Sequence, residues 1–210
     1  MALTLEEIGK NRVKNLYFGE LVDLPEQDNS GNYKIHIVGT NDEYVLADDL
    51  DCQKSKYHSE SISDHVAYVV AKMEQYGNIG KMIGLFHDTA KVSTVQINAR
   101  GEYCFYGHEE KSADNFTKMF FDNETFTKIG YDEAYLIDVI IRLHLQLKLL
   151  KGITRQCFIK GFCVKYGDHA YKLLEALDKA DHGLTEEQLA DPVIQETISK
   201  GYKLIGSMEF

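Results

Sequence analysis

The spacing of the apolar residues changes at about residue 58, and this change constrains the fold more than any other feature of the sequence. Before it, residues 34 to 38 alternate between polar and apolar side chains after the turn-like residues 29 to 32. Such alternation predicts strands, so residues 13 to 47 are expected to form strands that include a short hairpin. After residue 58, apolar residues recur three and four positions apart, which is typical of helices that pack on a core.

The predicted architecture is mainly α, with residues 1–55 as an N-terminal β-hairpin appendage and residues 56–210 as a helical domain. The first helix is expected to begin at Ser61 or Ser63, because serine is a common helix cap, and to end at Gly77. The later helices, in chain order, carry Ile79, Ile83 and Phe86; follow Gly107, after a turn or small hairpin at Gly101; and cover residues 132–148, 154–166 and 168–182.

The overall charge excludes one class of function. The chain has 33 acidic and 23 basic residues, a net charge of -10. A strongly acidic protein is not expected to bind DNA or RNA without sequence preference. One segment differs, because the stretch from Arg142 to Lys172 contains seven basic residues and a single acid, Asp168. This basic stretch is either a phosphate-binding surface or an ordinary solvated helix face.

A cytoplasmic, membrane-free protein is expected. No apolar run approaches the roughly 18 residues of a membrane-spanning helix, and the polar N-terminus does not resemble a signal peptide. The four cysteines form no pair spaced as in zinc ribbons or dithiol motifs. They are expected to be reduced and mostly buried.

Polar side chains that can bind metals lie on the apolar faces of four predicted helices. A lone histidine in such a position is more often a hydrogen-bonded core residue than a ligand. A buried carboxylate such as Asp181, however, needs a partner, and one shared cation would satisfy the whole set. Imidazole and carboxylate together suit Mn, Fe, Co, Ni or Zn better than Ca. The candidates are His65, His87 with the adjacent Asp88, His144 and Asp181.

Residues 84 to 91 read Gly-Leu-Phe-His-Asp-Thr-Ala-Lys. This segment resembles the Leu-Leu-His-Asp-Ile-Gly-Lys signature of the HD superfamily of metal-dependent phosphohydrolases. The ligand order of that family matches His65, His87-Asp88 and Asp181. The resemblance implies an HD-type helical bundle that uses these residues to bind a divalent ion such as Mn, Ni, Co, Fe or Mg.

The resemblance extends over residues 58 to 185. Residues 105–113 are similar to a Gly-His-Glu segment of the HD domains attached to bacterial tRNA nucleotidyltransferases, and the helix with His144 is similar to a later helix of that branch. Leu145 stands where many two-metal HD proteins have a second histidine. We therefore expect one tight metal. His108 and His144 would bind a second, weaker metal or grip the substrate phosphate.

The resemblance implies hydrolysis of phosphate monoesters or diesters in nucleotides or at RNA ends, such as 2′,3′-cyclic phosphates. Because no nucleotidyltransferase segment precedes the HD-like region, the chain would be a stand-alone phosphatase or phosphodiesterase. Asp88 would bind the metal and orient the attacking water, and Lys91 would neutralise charge that develops on the phosphate.

Further substrate contacts are expected from two places. Lys111 and Ser112 follow His108 closely and could reach the phosphate. In the basic stretch, Arg142 and Arg155 are the best candidates, because a guanidinium can hold a phosphate through two hydrogen bonds.

Two other functions compete with hydrolysis. A few HD proteins use a similar ligand set as di-iron oxygenases, and a non-catalytic HD module could bind a nucleotide. The first needs two firmly held metals, which Leu145 argues against, and the second has no need of a carboxylate such as Asp181 on an apolar face. The remaining histidines, His36, His58, His169 and His182, are expected to be exposed.

Overall fold

The computed structural model describes residues 2–19, 22–46, 50–53, 58–122 and 129–209 of the chain. Within them the fold is mainly helical, as predicted. The helices are α1 (Leu5–Phe18), α2 (Ile62–Met73), α3 (Gly77–Phe86), α4 (Lys91–Thr94), α5 (His108–Asp122), α6 (Tyr131–Leu143), α7 (Gln146–Leu149), α8 (Gly152–Ala180), α9 (Glu186–Leu189) and α10 (Pro192–Ser207). The strands are β1 (Tyr33–Ile37), β2 (Glu43–Leu46), β3 (Gln96–Ile97) and β4 (Tyr103–Cys104).

The predicted hairpin is present but belongs to a larger sheet. Strand β1 pairs antiparallel with β2 and parallel with β3, which gives the strand order β2-β1-β3-β4. The chain reverses between β1 and β2 at Gly39, whose φ is 80°, and the turn-like residues 29–32 make a separate turn before β1. The hairpin around Gly101 forms β3 and β4, as expected.

The expected strands over residues 13–18 are wrong, because these residues belong to α1. Thr4 caps this helix, and its hydroxyl and the Glu7 side chain form a reciprocal capping box. Val13, Leu16 and Tyr17 then share one buried face at helical spacing. Two sets of contacts join the predicted N-terminal appendage to the predicted helical domain. Helix α1 packs on α10, and β1 pairs with β3. The division itself, between residues 55 and 56, lies outside the described residues.

The helices predicted after residue 58 are confirmed, with differences at their ends. Ser61 caps α2, and its side chain accepts a hydrogen bond from the Asp64 backbone. Helix α6 stops at Leu143 rather than Lys148, and a short turn leads into α7. The last two predicted helices, 154–166 and 168–182, are both present, because the range α8 consists of two helices that meet at Gly167, where the φ of 86° and ψ of 164° are not helical.

The core lies where α2, α3, α6 and the second half of α8 meet, and α10 covers α2 from outside. No helix in the described part of the chain has both the length and the apolar character needed to cross a bilayer. The expected burial of the cysteines is wrong. All four are free, but Cys52 and Cys157 are exposed and Cys104 and Cys163 half-buried.

Candidate metal centre

The four core ligands predicted from the sequence converge on one point. His65 lies in the first turn of α2, His87 and Asp88 follow the end of α3, and Asp181 follows the end of α8. One ligand atom of each lies within 4.8 Å of those of the others. All four side chains are buried, with Asp181 the most exposed at 4%.

A second group of side chains shares Asp88 with the first. His108 at the start of α5 and His144 after α6 place their ligand atoms within 4.8 Å of each other and of Asp88. The two carboxylate oxygens of Asp88 face different groups, Oδ2 the first group and Oδ1 the second. Oδ2 lies 3.2 Å from His87 Nε2, and Oδ1 lies 3.2 Å from His108 Nε2. Asp88 is therefore placed to serve one ion or to bridge two.

The histidines have a defined tautomer. In His87, His108 and His144, Nδ1 lies 2.8, 2.6 and 2.6 Å from the backbone carbonyl oxygen three residues earlier. A carbonyl oxygen only accepts, so Nδ1 must donate its hydrogen in each case. In the neutral ring, Nε2 then carries a lone pair, and in all three residues Nε2 points into the cluster. Second partners of this kind are typical of metal-bound histidines.

Several of the converging atoms lack a well-formed hydrogen bond. Within the described residues, His87 Nε2, His144 Nε2 and both carboxylate oxygens of Asp88 are buried without a well-formed hydrogen bond. The lone pair of a neutral imidazole is repelled by a facing carboxylate oxygen unless a proton or a metal ion lies between them, and an unsatisfied buried polar group costs about 1–3 kcal/mol. A cation between these atoms would remove both penalties. The donor set therefore fits a divalent metal ion, and its mix of nitrogen and oxygen fits a first-row transition metal.

The electrostatics of the cluster favour a cation. Burial lowers the pKa of His87, but the negative charges of Asp88 and Asp181 outweigh burial and raise it to about 9. Burial alone dominates at His144 and lowers its pKa to about 3, so that ring is neutral and free to act as a ligand. Burial would raise the pKa of Asp181, yet its close contacts with His65 and His87 and the positive charge of Lys148 hold it well below its usual range.

Two lysines border the cluster. Lys91 Nζ lies 2.7 Å from Asp88 Oδ2 and 3.0 Å from Gln53 Oε1. Lys148 Nζ lies 2.6 Å from Asp181 Oδ2 and also donates to the backbone carbonyl of Asp181. Lys91 was predicted at the site from the sequence. Lys148 entered the sequence argument only as a member of the basic stretch, because its place on α7 follows from the turn after His144.

A cleft of about 350 Å³ opens onto the cluster. Its lining includes aromatic side chains, of which Tyr106 is 65% exposed, and the apolar side chains of Leu145 and Leu149. The site thus combines side chains that could bind a metal ion, two lysines and several aromatic side chains. The residues that line the cleft are His58, Asp88, Lys91, Tyr103, Phe105, Tyr106, Gly107, His108, Glu109, Leu145, Lys148, Leu149 and Asp181. A larger cavity of about 750 Å³ lies between α5 and α6, away from the metal-binding side chains.

The structure gives Ser112 and Lys111 roles other than the expected phosphate contacts. Ser112 is fully buried, and its hydroxyl accepts a hydrogen bond from the Ala90 backbone at 3.0 Å. It therefore supports the turn that follows Asp88. Lys111 Nζ lies 3.8 Å from Asp23, and its side chain lines a different pocket beside the sheet.

Arg142 and Arg155 also lie outside the cleft lining. Arg142 is held at 2.8 Å from Asp114 and 2.9 Å from Asp138, beside the larger cavity. Its position two residues before His144 places it on the opposite side of the helix, so the two side chains diverge. Arg155 lies 4.0 Å from Asp178, which belongs to the helical segment after the break at Gly167.

Two functional candidates were missed from the sequence, His58 and Glu60. His58 was expected to be exposed, but its side chain is only 18% exposed and lines the cleft. Glu60 is fully buried and contacts both His58 and His65. Neither lies on a helix with apolar periodicity, so no spacing signal marks them. The expectation of exposure is confirmed for His36, His169 and His182.

Comparison with models of protein families, with curated proteins and with solved structures found no match to this chain. The candidate site is therefore defined by its geometry alone: a buried cluster of His65, His87, Asp88 and Asp181 that could hold a metal ion.

Proposed function

We propose that this chain is a metal-dependent phosphohydrolase of the HD type, a phosphomonoesterase or phosphodiesterase that acts on nucleotides or on RNA-end phosphates such as 2′,3′-cyclic phosphates. One observation carries the proposal. Asp88 and Asp181, two of the four core candidate ligands, line a cleft that also presents Lys91 and Lys148. Residues that could hold a metal ion and lysines that could bind a phosphate therefore line the same cleft.

His65, His87, Asp88 and Asp181 would hold one tight divalent ion, and Asp88, His108 and His144 would hold a second, weaker one or contact the phosphate. Mn, Ni, Co, Fe and Mg are the candidate ions. A divalent ion at this site supplies Lewis acidity, which activates water and polarises a phosphoryl oxygen.

The protein's own residues position and neutralise the phosphate. Lys91 and Lys148 each contact a carboxylate of the cluster, so a phosphate that enters between them meets positive charge on two sides. Charge that develops on the phosphoryl oxygens during hydrolysis is stabilised there by fixed cations in a partly buried site. Asp88 Oδ1, the oxygen that does not contact Lys91, is the acceptor that would orient a water molecule.

The cleft supports a nucleotide as substrate. Its volume of about 350 Å³ is within the usual range for small-ligand sites. Tyr106 and Phe105 offer aromatic faces on which a base can stack, and base stacking on an aromatic side chain is worth about 1–3 kcal/mol. A small ester without a base would gain none of this binding.

The test is a substrate screen of the purified protein with Mn²⁺, Ni²⁺, Co²⁺ or Mg²⁺. Substrates should include nucleoside monophosphates, di- and triphosphates, 2′,3′-cyclic and 3′,5′-cyclic nucleotides, a sugar phosphate and a synthetic phosphodiester. We expect metal-dependent release of phosphate or ring opening, with nucleotides preferred over the sugar phosphate.

Lys148→Ala should raise KM about tenfold, because one cation contact to a phosphate contributes about 1.4 kcal/mol or more. Lys160→Ala, which removes an exposed lysine in the first half of α8, is the matched control and should leave KM unchanged. Failure of every phosphate ester to react with any metal would refute the proposal. Tightly bound iron with consumption of dioxygen would instead support an oxygenase.

A further inference from the structure

Glu60 is a buried carboxylate that makes contacts in three directions. Its Oε1 lies 2.7 Å from His58 Nδ1 and 3.0 Å from His65 Nδ1. Its Oε2 accepts a hydrogen bond from the Leu184 backbone at 2.9 Å. The Glu60 side chain is 0% exposed, so these contacts replace its hydration. A charged group in such a position has to be satisfied by the protein.

The contact to His65 decides which nitrogen of that ring can bind a metal. Both oxygens of Glu60 face nitrogen atoms: Oε2 accepts from the Leu184 backbone N–H, and Oε1 lies between the Nδ1 atoms of His58 and His65. A carboxylate in this position accepts, so His65 Nδ1 carries the hydrogen. Nε2 is then the metal-binding atom, and it faces Asp181 Oδ1 at 3.1 Å.

His65 differs from the other histidines of the cluster in the group that orients its ring. Each of the others is oriented by a carbonyl oxygen three residues earlier, within its own segment. Since His65 lies inside α2, the backbone carbonyls near it are used by the helix. Its orientation therefore depends on a side chain from outside the helix.

The contact to Leu184 joins two parts of the cluster. Leu184 follows Asp181 by three residues, and the Ser59 backbone also donates to the Leu184 carbonyl at 2.9 Å. Glu60 thus fastens the segment that leaves Asp181 to the segment that enters α2. The Glu60 side chain thus holds α2, which carries His65, at a fixed distance from the segment that follows Asp181.

We propose that Glu60 is a positioning residue that fixes the tautomer of His65 and its distance from Asp181, and that it orients the cleft histidine His58 through the same oxygen. The inference rests on the proposed metal site. It adds that this site depends on a residue that neither touches the ion nor lines the cleft.

Glu60→Gln tests this with almost no change in volume. If the amide oxygen of glutamine accepts from the two histidines, its NH₂ group faces the Leu184 N–H, and two donors meet. If the amide turns round, its NH₂ faces His65 Nδ1 and favours the tautomer whose Nε2 carries the hydrogen. Both arrangements weaken the metal site.

The measurement is titration with Co²⁺, followed by its visible absorption, for the full chain and for each variant. We expect Glu60→Gln to weaken Co²⁺ affinity about 10- to 100-fold, as loss of such a supporting group does elsewhere. Glu110→Gln, an exposed carboxylate on α5, should have no effect. His58→Ala keeps the contact between Glu60 and His65 and should change Co²⁺ affinity less than threefold while lowering turnover.

The outcomes separate this inference from the proposed function. Wild-type affinity in Glu60→Gln would overturn the role of Glu60 and leave the metal site standing. Failure of the wild-type protein to bind Co²⁺ would overturn both. If Glu60→Gln does not fold, ¹H–¹⁵N correlation spectra of the histidine side chains in the Zn²⁺-loaded wild type decide. They should show hydrogen on Nδ1 of His65, and hydrogen on Nε2 would contradict the proposal.

Discussion

Three histidines of the cluster are oriented by the same short-range device. Each donates Nδ1–H to a carbonyl three residues earlier, and His87 and His144 do so at the position that ends a helix. The last carbonyls of a helix have no intrahelical partner, so they are free to accept. A histidine that directly follows an apolar helix can therefore be oriented by one of the last carbonyls of that helix, and His87 after α3 is in this position.

Asp88 is the residue on which both groups of ligands depend. In Asp88→Ala we expect the bound metal to fall below about a tenth of an equivalent and kcat to fall by at least about 10³-fold, since the reaction loses its electrostatic stabilisation. Helical content should persist, because within the described residues the Asp88 carboxylate accepts no hydrogen bond from a helix backbone. Elemental analysis, circular dichroism and the hydrolysis assay are the measurements. Full activity in metal-free Asp88→Ala would contradict the whole interpretation.

His108 and His144 distinguish one metal from two. If they only assist, His108→Ala and His144→Ala should each keep about one tightly bound metal and lose much of the turnover. The neutral ring of His144 makes it a competent ligand, so weak binding of a second ion at high concentration is compatible with this expectation. Elemental analysis with two firmly held ions in the wild type and one in both variants would show that the one-metal expectation is wrong.

At the scale of elements, glycines let helices approach closely enough to build the site. A Cβ on Gly84 in α3 would lie 3.1 Å from the Val70 backbone in α2, the helix that carries His65. A Cβ on Gly201 in α10 would lie 1.8 Å from the Ala67 carbonyl oxygen. The two faces of α2 are therefore both in backbone contact with a neighbour.

Substitution of these glycines should affect stability to different extents. Gly201→Ala forces α10 away from α2 and should cost about 3 kcal/mol, whereas Gly84→Ala requires a smaller shift and should cost about 1–2 kcal/mol. Gly84→Ala should also weaken metal binding, because it separates His65 from His87. Gly161→Ala in α8 has nothing within 4 Å of the new Cβ and should stabilise the protein by about 0.5–1 kcal/mol. Urea unfolding of the three variants checks this order, and equal losses in all three would refute it.

Elements with apolar periodicity could be predicted from the sequence, and those held together by other means could not. Helix α2 and the ligands His65 and Asp181 follow from helical spacing and from the need to satisfy a buried carboxylate. Helix α1 was mistaken for strand, and α10 has no counterpart among the predicted helices. The two pack on each other partly through Gly9 and Gly206, so some contact positions carry no apolar side chain and the apolar stripe of each helix is shorter than its contact face.

The same limit applied to the substrate-binding side chains. Arg142 was chosen because it is close to His144 in sequence, but two residues along a helix is half a turn, and its side chain meets Asp138 instead. Lys148 reaches the cluster only because α6 ends early and the chain turns into α7. Proximity along the chain could not show either contact.

At the scale of the whole molecule, metal binding and stability should depend on pH in opposite ways. The pKa of His87 is raised to about 9 in the metal-free protein. Its contribution of about 3 kcal/mol is therefore fully present below pH 6.5 and is lost as the pH rises through 9. A metal ion must displace this proton, so affinity should rise about tenfold for each pH unit up to about 9.

Thermal unfolding at pH 6.5 and pH 9 tests this dependence. The chelator-treated protein should lose stability between the two values, and the loaded protein should not. His87→Gln removes the titrating group, so the chelator-treated variant should show a much smaller loss. A wild-type protein whose metal-free stability does not change over this range would rule out a raised pKa at His87.

The pairing of α1 with α10 has a consequence for how the chain folds. Arg12 donates to the backbone carbonyls of Ile205 and Met208, contacts that span 193 and 196 residues of sequence. Contacts between distant parts of a chain slow folding, because a large loop must close before they form. During synthesis, Asp181 leaves the ribosome before α10 does, so the four ligands are all available while α2 still lacks its outer cover. An ion captured by the nascent chain would then hold α2, α3 and the end of α8 together until the last helix arrives.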